Sequence, residues 1–172
     1  DLRLAVDWGT FRWLPSDVFG AGKVMVFALI QDRDKRNYDA DMRGQLKRFN
    51  EKLRSEQGLT SNLAVEIEGF LFHGLNAEQT YQSSTNFQFV SEGGYFNTLP
   101  TAPLRQFIDR FAEAQRALGF ENEKDHPEVA PSQFELNYKY TDALIAADQV
   151  QMYKLLARLI ASNMGYTASF LP

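Results

Sequence analysis

Residues 133–140 alternate between polar and apolar side chains. The polar set is Gln133, Glu135, Asn137 and Lys139, and the apolar set is Phe134, Leu136, Tyr138 and Tyr140. Successive side chains of a β-strand point to opposite faces, so this period of two predicts a strand near 132–140 with one polar and one apolar face. A one-sided strand favours an antiparallel sheet with helices packed on one face, because the strands of a parallel doubly wound sheet are buried on both faces. We therefore expect an α+β fold.

Four glutamates form two pairs within strand-like sequence. Glu66 and Glu68 lie in AVEIEGFLF, and Glu128 and Glu135 lie in HPEVAPSQFEL. In a strand near 64–72, the first pair shares one face with two aromatic side chains, and the opposite face is aliphatic. The aromatic residues are Phe70 and Phe72, and the aliphatic ones are Val65, Ile67 and Leu71. A face that mixes acids with phenylalanines predicts a lined cavity in which the carboxylates are paired with cations.

His126 stands two residues before Glu128, so the two side chains share a face if the segment is extended. Several carboxylates converging with one histidine and no cysteine suit a hard divalent cation, so Mg²⁺ or Mn²⁺ fits better than Zn²⁺. We therefore take His126 as a candidate metal ligand beside the glutamates. The alternatives are that His126 is a hydrogen-bonded core histidine and that the glutamates are ordinary surface acids on edge strands.

Three segments have apolar residues at helical spacing. The first carries Met42, Leu46, Phe49 and Leu53 and is closed by Gly58. The second opens at Thr101 and Pro103, carries Leu104, Phe107, Phe111, Ala114 and Leu118, and ends at Gly119. The third begins with Thr141 as N-cap, places Ile145, Met152, Leu155, Leu156, Leu159 and Ile160 on one face, and ends at Gly165. The spacing therefore predicts three helices.

The other segments predict further strands and one long loop. Residues 1–14 predict a short strand that stops at Pro15, and Lys23–Ile30 predicts a buried strand because it is rich in β-branched and aromatic residues. Another strand is expected near 120–126. Residues 76–96 are polar and contain Gly93 and Gly94, so this segment predicts a functional loop with little regular structure.

Composition excludes several classes of protein. The chain has no cysteine, which excludes disulfides and favours a reducing compartment, so we expect a cytoplasmic protein. Its formal net charge is −4, and no basic patch indicates nucleic-acid binding. The longest apolar run, Val24–Ile30, is too short to span a bilayer, so no membrane partner is expected.

Four motifs carry a family resemblance. VEIEGFLF, GGYFNTLP, HPEVAPSQFEL and the terminal GYTASFLP resemble, in this order, segments of the glutamine synthetases. The resemblance implies that Glu68, Glu128 and Glu135 are ligands of one catalytic metal and that Glu66 is a ligand of a second. It also implies that Glu123 contacts the nucleotide. It further implies that residues 1–172 are a single partial catalytic domain, without the amino-terminal domain and the carboxy-terminal half of the catalytic domain.

The resemblance implies an ATP-dependent carbon–nitrogen ligase that uses ATP and Mg²⁺ or Mn²⁺. Such an enzyme joins glutamate to ammonia or an amine through γ-glutamyl phosphate, and family members form large homo-oligomeric rings. The fragment alone is expected to be inactive, because other parts of the family's site lie outside it. Gly69, Pro127 and Ser132 depart from the family pattern and leave open a ligase for another amine. A non-catalytic assembly or regulatory module is the other alternative.

Overall fold

The structure is a computed structural model that describes residues 1–81, 83 and 86–171. The helices are α1 (Ser16–Phe19), α2 (Met42–Gln57), α3 (Ala77–Thr80), α4 (Pro103–Ala117) and α5 (Ala143–Asn163). The strands are β1 (Leu2–Trp13), β2 (Val24–Asp32), β3 (Asn62–Leu63), β4 (Glu68–His73), β5 (Asn122–Pro127), β6 (Gln133–Tyr138), β7 (Thr141–Asp142) and β8 (Tyr166–Ser169). No helix within these described residues is long and apolar enough to cross a membrane.

The main sheet has four strands in the order β5-β6-β4-β8, and all of its neighbours pair antiparallel. Its apolar face is covered by α4 and α5, as the one-sided pattern of β6 predicted. Phe134 of β6 lies 4.9 Å from Phe107 of α4 between ring centroids, and Tyr153 of α5 lies 4.6 Å from Phe111. All four side chains are buried. The α+β prediction, with an antiparallel sheet and helices on one face, is therefore confirmed.

Helix α4 follows its prediction, whereas the buried face of α5 follows it only in part. All five residues of the predicted α4 stripe are buried, and Gly119 follows with a positive φ of 87°. On α5, however, Ile145 and Leu155 are exposed. Met152, Leu156 and Ile160 of the predicted face are buried, and the rest of the buried apolar face consists of Tyr153 and four alanines, Ala143, Ala146, Ala157 and Ala161. Small side chains permit close helix–sheet approach, and a count of large aliphatic residues overlooks them.

The N-cap of α5 is Asp142 rather than Thr141. The Asp142 carboxylate accepts a hydrogen bond from the amide of Leu144 at 2.9 Å, which satisfies one of the free amides of the first turn. Thr141 instead belongs to β7, where it pairs with Leu63 of β3. The two residue types are both good N-caps, so the sequence pattern alone does not separate them.

The amino-terminal strands form a separate two-stranded ribbon. Strand β1 is longer than expected. Its partner β2 confirms the strand predicted at Lys23–Ile30, but it is only partly buried, so the predicted burial is wrong. One face of β2 packs on the core through Met25 and Phe27, while Leu4 and Trp8 of β1 are exposed. A ribbon can bury only one face when a single layer lies beside it.

Helix α2 ends at Gly58 as predicted, but its apolar face differs. Met42 and Phe49 are exposed, although they belong to the predicted stripe. The helix is attached instead by Arg43, whose guanidinium donates two hydrogen bonds to Asp148 of α5 and one to Asp7 of β1. A mostly buried charged group therefore joins the ribbon, α2 and α5.

The first glutamate strand begins later than predicted. Strand β4 starts at Glu68, so Glu66 lies before the strand. Phe70 and Phe72 share one face, with parallel rings 6.0 Å apart between centroids. Phe72 is nevertheless buried, because the loop ring of Phe87 stacks on it at 4.1 Å. The loop at 76–96 has one helical turn, α3, and a bridge from Phe89 to Phe72, and three of its positions (82, 84 and 85) lie outside the described residues.

Gly69 is the point of closest packing in β4. A Cβ atom at this position would lie 2.6 Å from Phe134 Cζ and 3.0 Å from Phe170 Cε1, so two aromatic rings occupy the space of a side chain. Gly69→Ala is expected to lower the unfolding free energy by about 1–3 kcal/mol through overpacking, which thermal melting measures. The control is Gly9→Ala in β1, where the nearest atom would be 3.5 Å away. Equal melting temperatures for the two variants would contradict the packing.

Candidate metal centre

The polar face of the main sheet brings three predicted site residues into one row. In the antiparallel register, Glu135 of β6 stands opposite Glu68 of β4 on one side and opposite His126 of β5 on the other. Directly paired residues of adjacent strands point to the same face. Glu128 lies two residues beyond His126. Its amide donates a hydrogen bond to Gln133 O at 2.8 Å, which holds the Glu128 backbone next to the start of β6.

His126, Glu128 and Glu135 form a cluster. One ligand atom from each of the three lies within 4.8 Å of the others. The Glu135 side chain is buried, and those of His126 and Glu128 are partly buried. Nδ1 of His126 lies 3.3 Å from a carboxylate oxygen of Glu128 and 3.1 Å from Pro127 O. Three side chains that converge this closely match the arrangement of a metal site in which each side chain offers one atom.

The other three predicted residues lie around this cluster. Glu68 is exposed and accepts a hydrogen bond from Gln133 Nε2. Glu66 is exposed and precedes β4, so it does not share the strand geometry that the prediction assumed. Glu123 is exposed on β5, at an irregularity in the pairing with β6. The structure therefore groups His126, Glu128 and Glu135, with Glu68 next in the row, and leaves Glu66 and Glu123 at the edge.

Within the described residues, the carboxylates of the site have no lysine or arginine to balance their charge. None in the described part of the chain forms an ion pair with Glu66, Glu68, Glu128 or Glu135, so the cations that the sequence predicts for these carboxylates are not lysine or arginine side chains. Glu135 accepts instead from Asn137 Nδ2 at 2.8 Å, and Glu128 from the amide of Val129 at 3.2 Å. A donor set of carboxylate oxygens with one imidazole and no thiolate fits a hard divalent cation.

Tyr153 of α5 fixes the two glutamate strands from the core side. Its hydroxyl donates to Ile67 O at 2.8 Å and accepts from the amide of Leu136 at 3.3 Å. Ile67 lies between Glu66 and Glu68, and Leu136 follows Glu135. Burial raises the pKa of Tyr153 above its ordinary value, so the hydroxyl keeps its proton and its donor role. The spacing between β4 and β6 is therefore fixed both by the pairing of the two strands and by Tyr153 on the core side of the sheet.

Two residues near the cluster were not predicted as part of the site. The ring of Tyr95 lies 5.4 Å from that of His126 between centroids, so residues of the 91–96 segment reach the cluster. Ser132 is fully buried in the turn between Glu128 and Glu135, with a positive φ of 59°. The Gly93-Gly94 pair was the available signal for a close approach of this loop, and the signal for Ser132 was its departure from the family pattern.

Known proteins that are similar in sequence match this chain over most or all of its length. Residues 39–172 match a family model described as "Glutamine synthetase, catalytic domain", a range that begins after β2. The glutamine synthetase of Thermus thermophilus is 36% identical over 186 aligned residues, covering 100% of this chain and 38% of that protein. The glutamine synthetase of Methanosarcina mazei is 32% identical over 172 residues, covering 100% of this chain and 37% of that protein. The chain therefore spans well under half the length of these curated relatives.

A solved structure agrees with the fold. The cryo-EM structure of Plasmodium falciparum glutamine synthetase is similar with a TM-score of 0.80 at 23% identity, covering 100% of this chain and 38% of that one. At this identity the likeness concerns the fold alone.

Proposed function

The chain belongs to the glutamine synthetase family, and on that premise we propose that the full-length protein is an ATP-dependent carbon–nitrogen ligase. It joins glutamate to ammonia or another amine, acts on these small molecules as a homo-oligomer, and proceeds through γ-glutamyl phosphate. The observation that carries the proposal is the convergence of His126, Glu128 and Glu135 within 4.8 Å on the polar face of the sheet. A scaffold without catalytic function has no need for acids grouped in this way.

The residues of the chain divide into three proposed roles. His126, Glu128 and Glu135 hold one divalent cation, Mg²⁺ or Mn²⁺, together with Glu68 from the neighbouring strand. Glu66, which lies just before β4, contributes to a second cation. Glu123, at the exposed edge of β5, contacts the nucleotide.

The acidity of the site explains why it requires cations. ATP and glutamate are anions, so a group of unpaired carboxylates repels both substrates. Divalent cations held by these side chains would neutralise phosphate charge and so allow the anionic substrates to bind. The protein's own part is geometric: the register of β5, β6 and β4 aims the ligands at one point, and Tyr153 holds two of those strands at a fixed spacing.

Phosphate release by the full-length protein tests this proposal. ATP turnover is expected only when a divalent cation, glutamate and an acceptor amine are all present, because the amine must displace phosphate from the acyl phosphate to complete the cycle. A panel of ammonia, putrescine and ethanolamine, each with and without glutamate, identifies the acceptor. If none of a broad range of amines stimulates phosphate release while the protein remains folded, the ligase proposal fails and a non-catalytic assembly or regulatory role replaces it.

A further inference from the structure

Ser132 uses every hydrogen-bonding position of its side chain on one loop. The amides of Val90 and Ser91 donate to Ser132 Oγ at 2.7 and 3.0 Å, and the hydroxyl donates to Ser91 O at 3.2 Å. A serine hydroxyl has one donor and two acceptor positions, so all three are occupied. The side chain is fully buried, so water does not compete for these bonds. Residues 90–91 are therefore attached to the turn that separates Glu128 from Glu135.

The backbone of Ser132 lies where one strand pairing gives way to another. Leu71 of β4 donates its amide to Ser132 O at 2.9 Å, just beyond the paired residues of β6. Two residues later along β4, the amide of His73 donates to Gln88 O at 2.9 Å. The loop thus pairs with β4 beyond the point where the pairing of β6 with β4 ends. The Ser132 side chain joins the loop to the start of β6.

The attached loop continues to the candidate metal centre. Gly93 packs so closely on the turn that a Cβ atom there would lie 3.3 Å from Val129 O. Tyr95 then reaches the ring of His126. A continuous set of contacts therefore runs from Ser132 through residues 90–95 to a side chain of the cluster.

Ser132 has a strained backbone conformation. Its φ of 59° lies in the left-handed region, which glycine adopts without strain and other residues rarely adopt. A glycine would remove the strain but would also remove all three hydrogen bonds. The serine is thus explained by what its hydroxyl holds rather than by the turn.

From these contacts we infer that Ser132 is a positioning residue: its hydroxyl holds the 90–95 segment against the metal-binding turn and so keeps His126, Glu128 and Glu135 arranged for a divalent cation. This inference rests on the proposed function for the identity of the cluster. It concerns the arrangement of the ligands, since the Ser132 side chain is fully buried and all of its hydrogen bonds go to residues 90 and 91.

Hydrogen exchange and Mn²⁺ titration of the full-length protein test the inference together. Ser132→Ala removes the hydroxyl and keeps the strain, whereas Ser132→Gly removes both. In both variants, exchange at residues 90–91 is expected to accelerate about tenfold or more, because two amides lose their acceptor. The Mn²⁺ dissociation constant, measured by calorimetry, is expected to rise about tenfold, as for other residues that orient metal ligands. Ser55→Ala, at an exposed serine of α2, is the matched control and should change neither quantity.

Each remaining outcome decides the matter. Unchanged exchange at 90–91 in both variants would show that the hydroxyl does not hold the loop. Faster exchange with unchanged Mn²⁺ affinity would show that the loop is held for structural reasons alone, which also overturns the inference. If Mn²⁺ binds neither the unmodified protein nor any variant, the metal site itself is refuted, and that failure is recognised because the Ser55→Ala control shares it.

Discussion

Glu135→Gln is expected to abolish most of the stabilisation that Mg²⁺ or Mn²⁺ confers on the full-length protein. At a metal concentration about 100 times the dissociation constant, a single site stabilises the native state by about 2.7 kcal/mol. Glutamine keeps the shape and one carbonyl oxygen of Glu135 but loses the charge that binds a hard cation. Without metal, the variant is expected to melt at or above the temperature of the unmodified protein, because one of several neighbouring carboxylates no longer repels the others.

The change in melting temperature caused by Glu135→Gln is therefore expected to be zero or positive without metal and negative with metal. A general loss of stability would lower the melting temperature in both conditions. Glu113→Gln on α4 is the matched control, because that carboxylate is exposed and pairs with Arg110 at 3.7 Å, away from the cluster. Its melting temperature and its metal response should stay within about 0.5 kcal/mol of the unmodified protein. Identical metal responses for Glu135→Gln and Glu113→Gln would mean that the cluster is a group of ordinary acids on the sheet.

Arg43→Met is expected to cost about 3–5 kcal/mol of unfolding free energy, the usual penalty for leaving a buried ionic partner unpaired. The Arg43 guanidinium makes two parallel hydrogen bonds to Asp148, each 2.8 Å, and a third to Asp7 at 3.1 Å. The side chains of Arg43 and Asp148 are only 13% and 11% exposed, so solvent does not replace the lost partner. The hydrogen bonds to Asp148 raise the pKa of Arg43 above its ordinary value, so the charge is present at every accessible pH. Denaturant unfolding measures the loss.

Arg54→Met supplies the comparison on the same helix. The Arg54 side chain is 67% exposed and lies 3.9 Å from Asp142, so its removal should cost less than about 1 kcal/mol. Combining Arg43→Met with Asp148→Asn should cost less than the sum of the two single changes, because each removes a charge that the other needs. Additive costs would indicate that the two side chains do not interact.

Local pattern was sufficient to predict which face each strand residue takes, but not which strands meet. The alternation in β6 correctly placed Glu135 away from Phe134 and Leu136, and that separation determined the fold class. The row from His126 through Glu135 to Glu68 depends on pairing register between strands that are distant in the sequence. The alternation of each strand by itself is compatible with many registers, so the motif resemblance had to supply the grouping.

The misses share a physical cause, which is that tertiary contacts overrode local preference. The apolar spacing of α2 predicted burial of Phe49, yet the helix is held by Arg43 and its ionic partner 105 residues away. Helix α5 buries Tyr153 and four alanines beside Leu156 and Ile160, and it leaves Ile145 and Leu155 of its predicted face exposed. Glu66 was assigned to a strand that begins two residues later, because alternation does not mark where pairing starts.

Anomalous diffraction at the manganese edge, from crystals of the full-length protein soaked in Mn²⁺, tests the central claim most directly. The account predicts an anomalous peak bounded by the Glu128 and Glu135 carboxylates, with Glu68 or His126 completing the ligands on the protein side, and loss of that peak in Glu135→Gln. A protein that diffracts well and binds Mn²⁺ only elsewhere, or shows the same peak after Glu135→Gln, would contradict the assignment of this cluster as the metal centre.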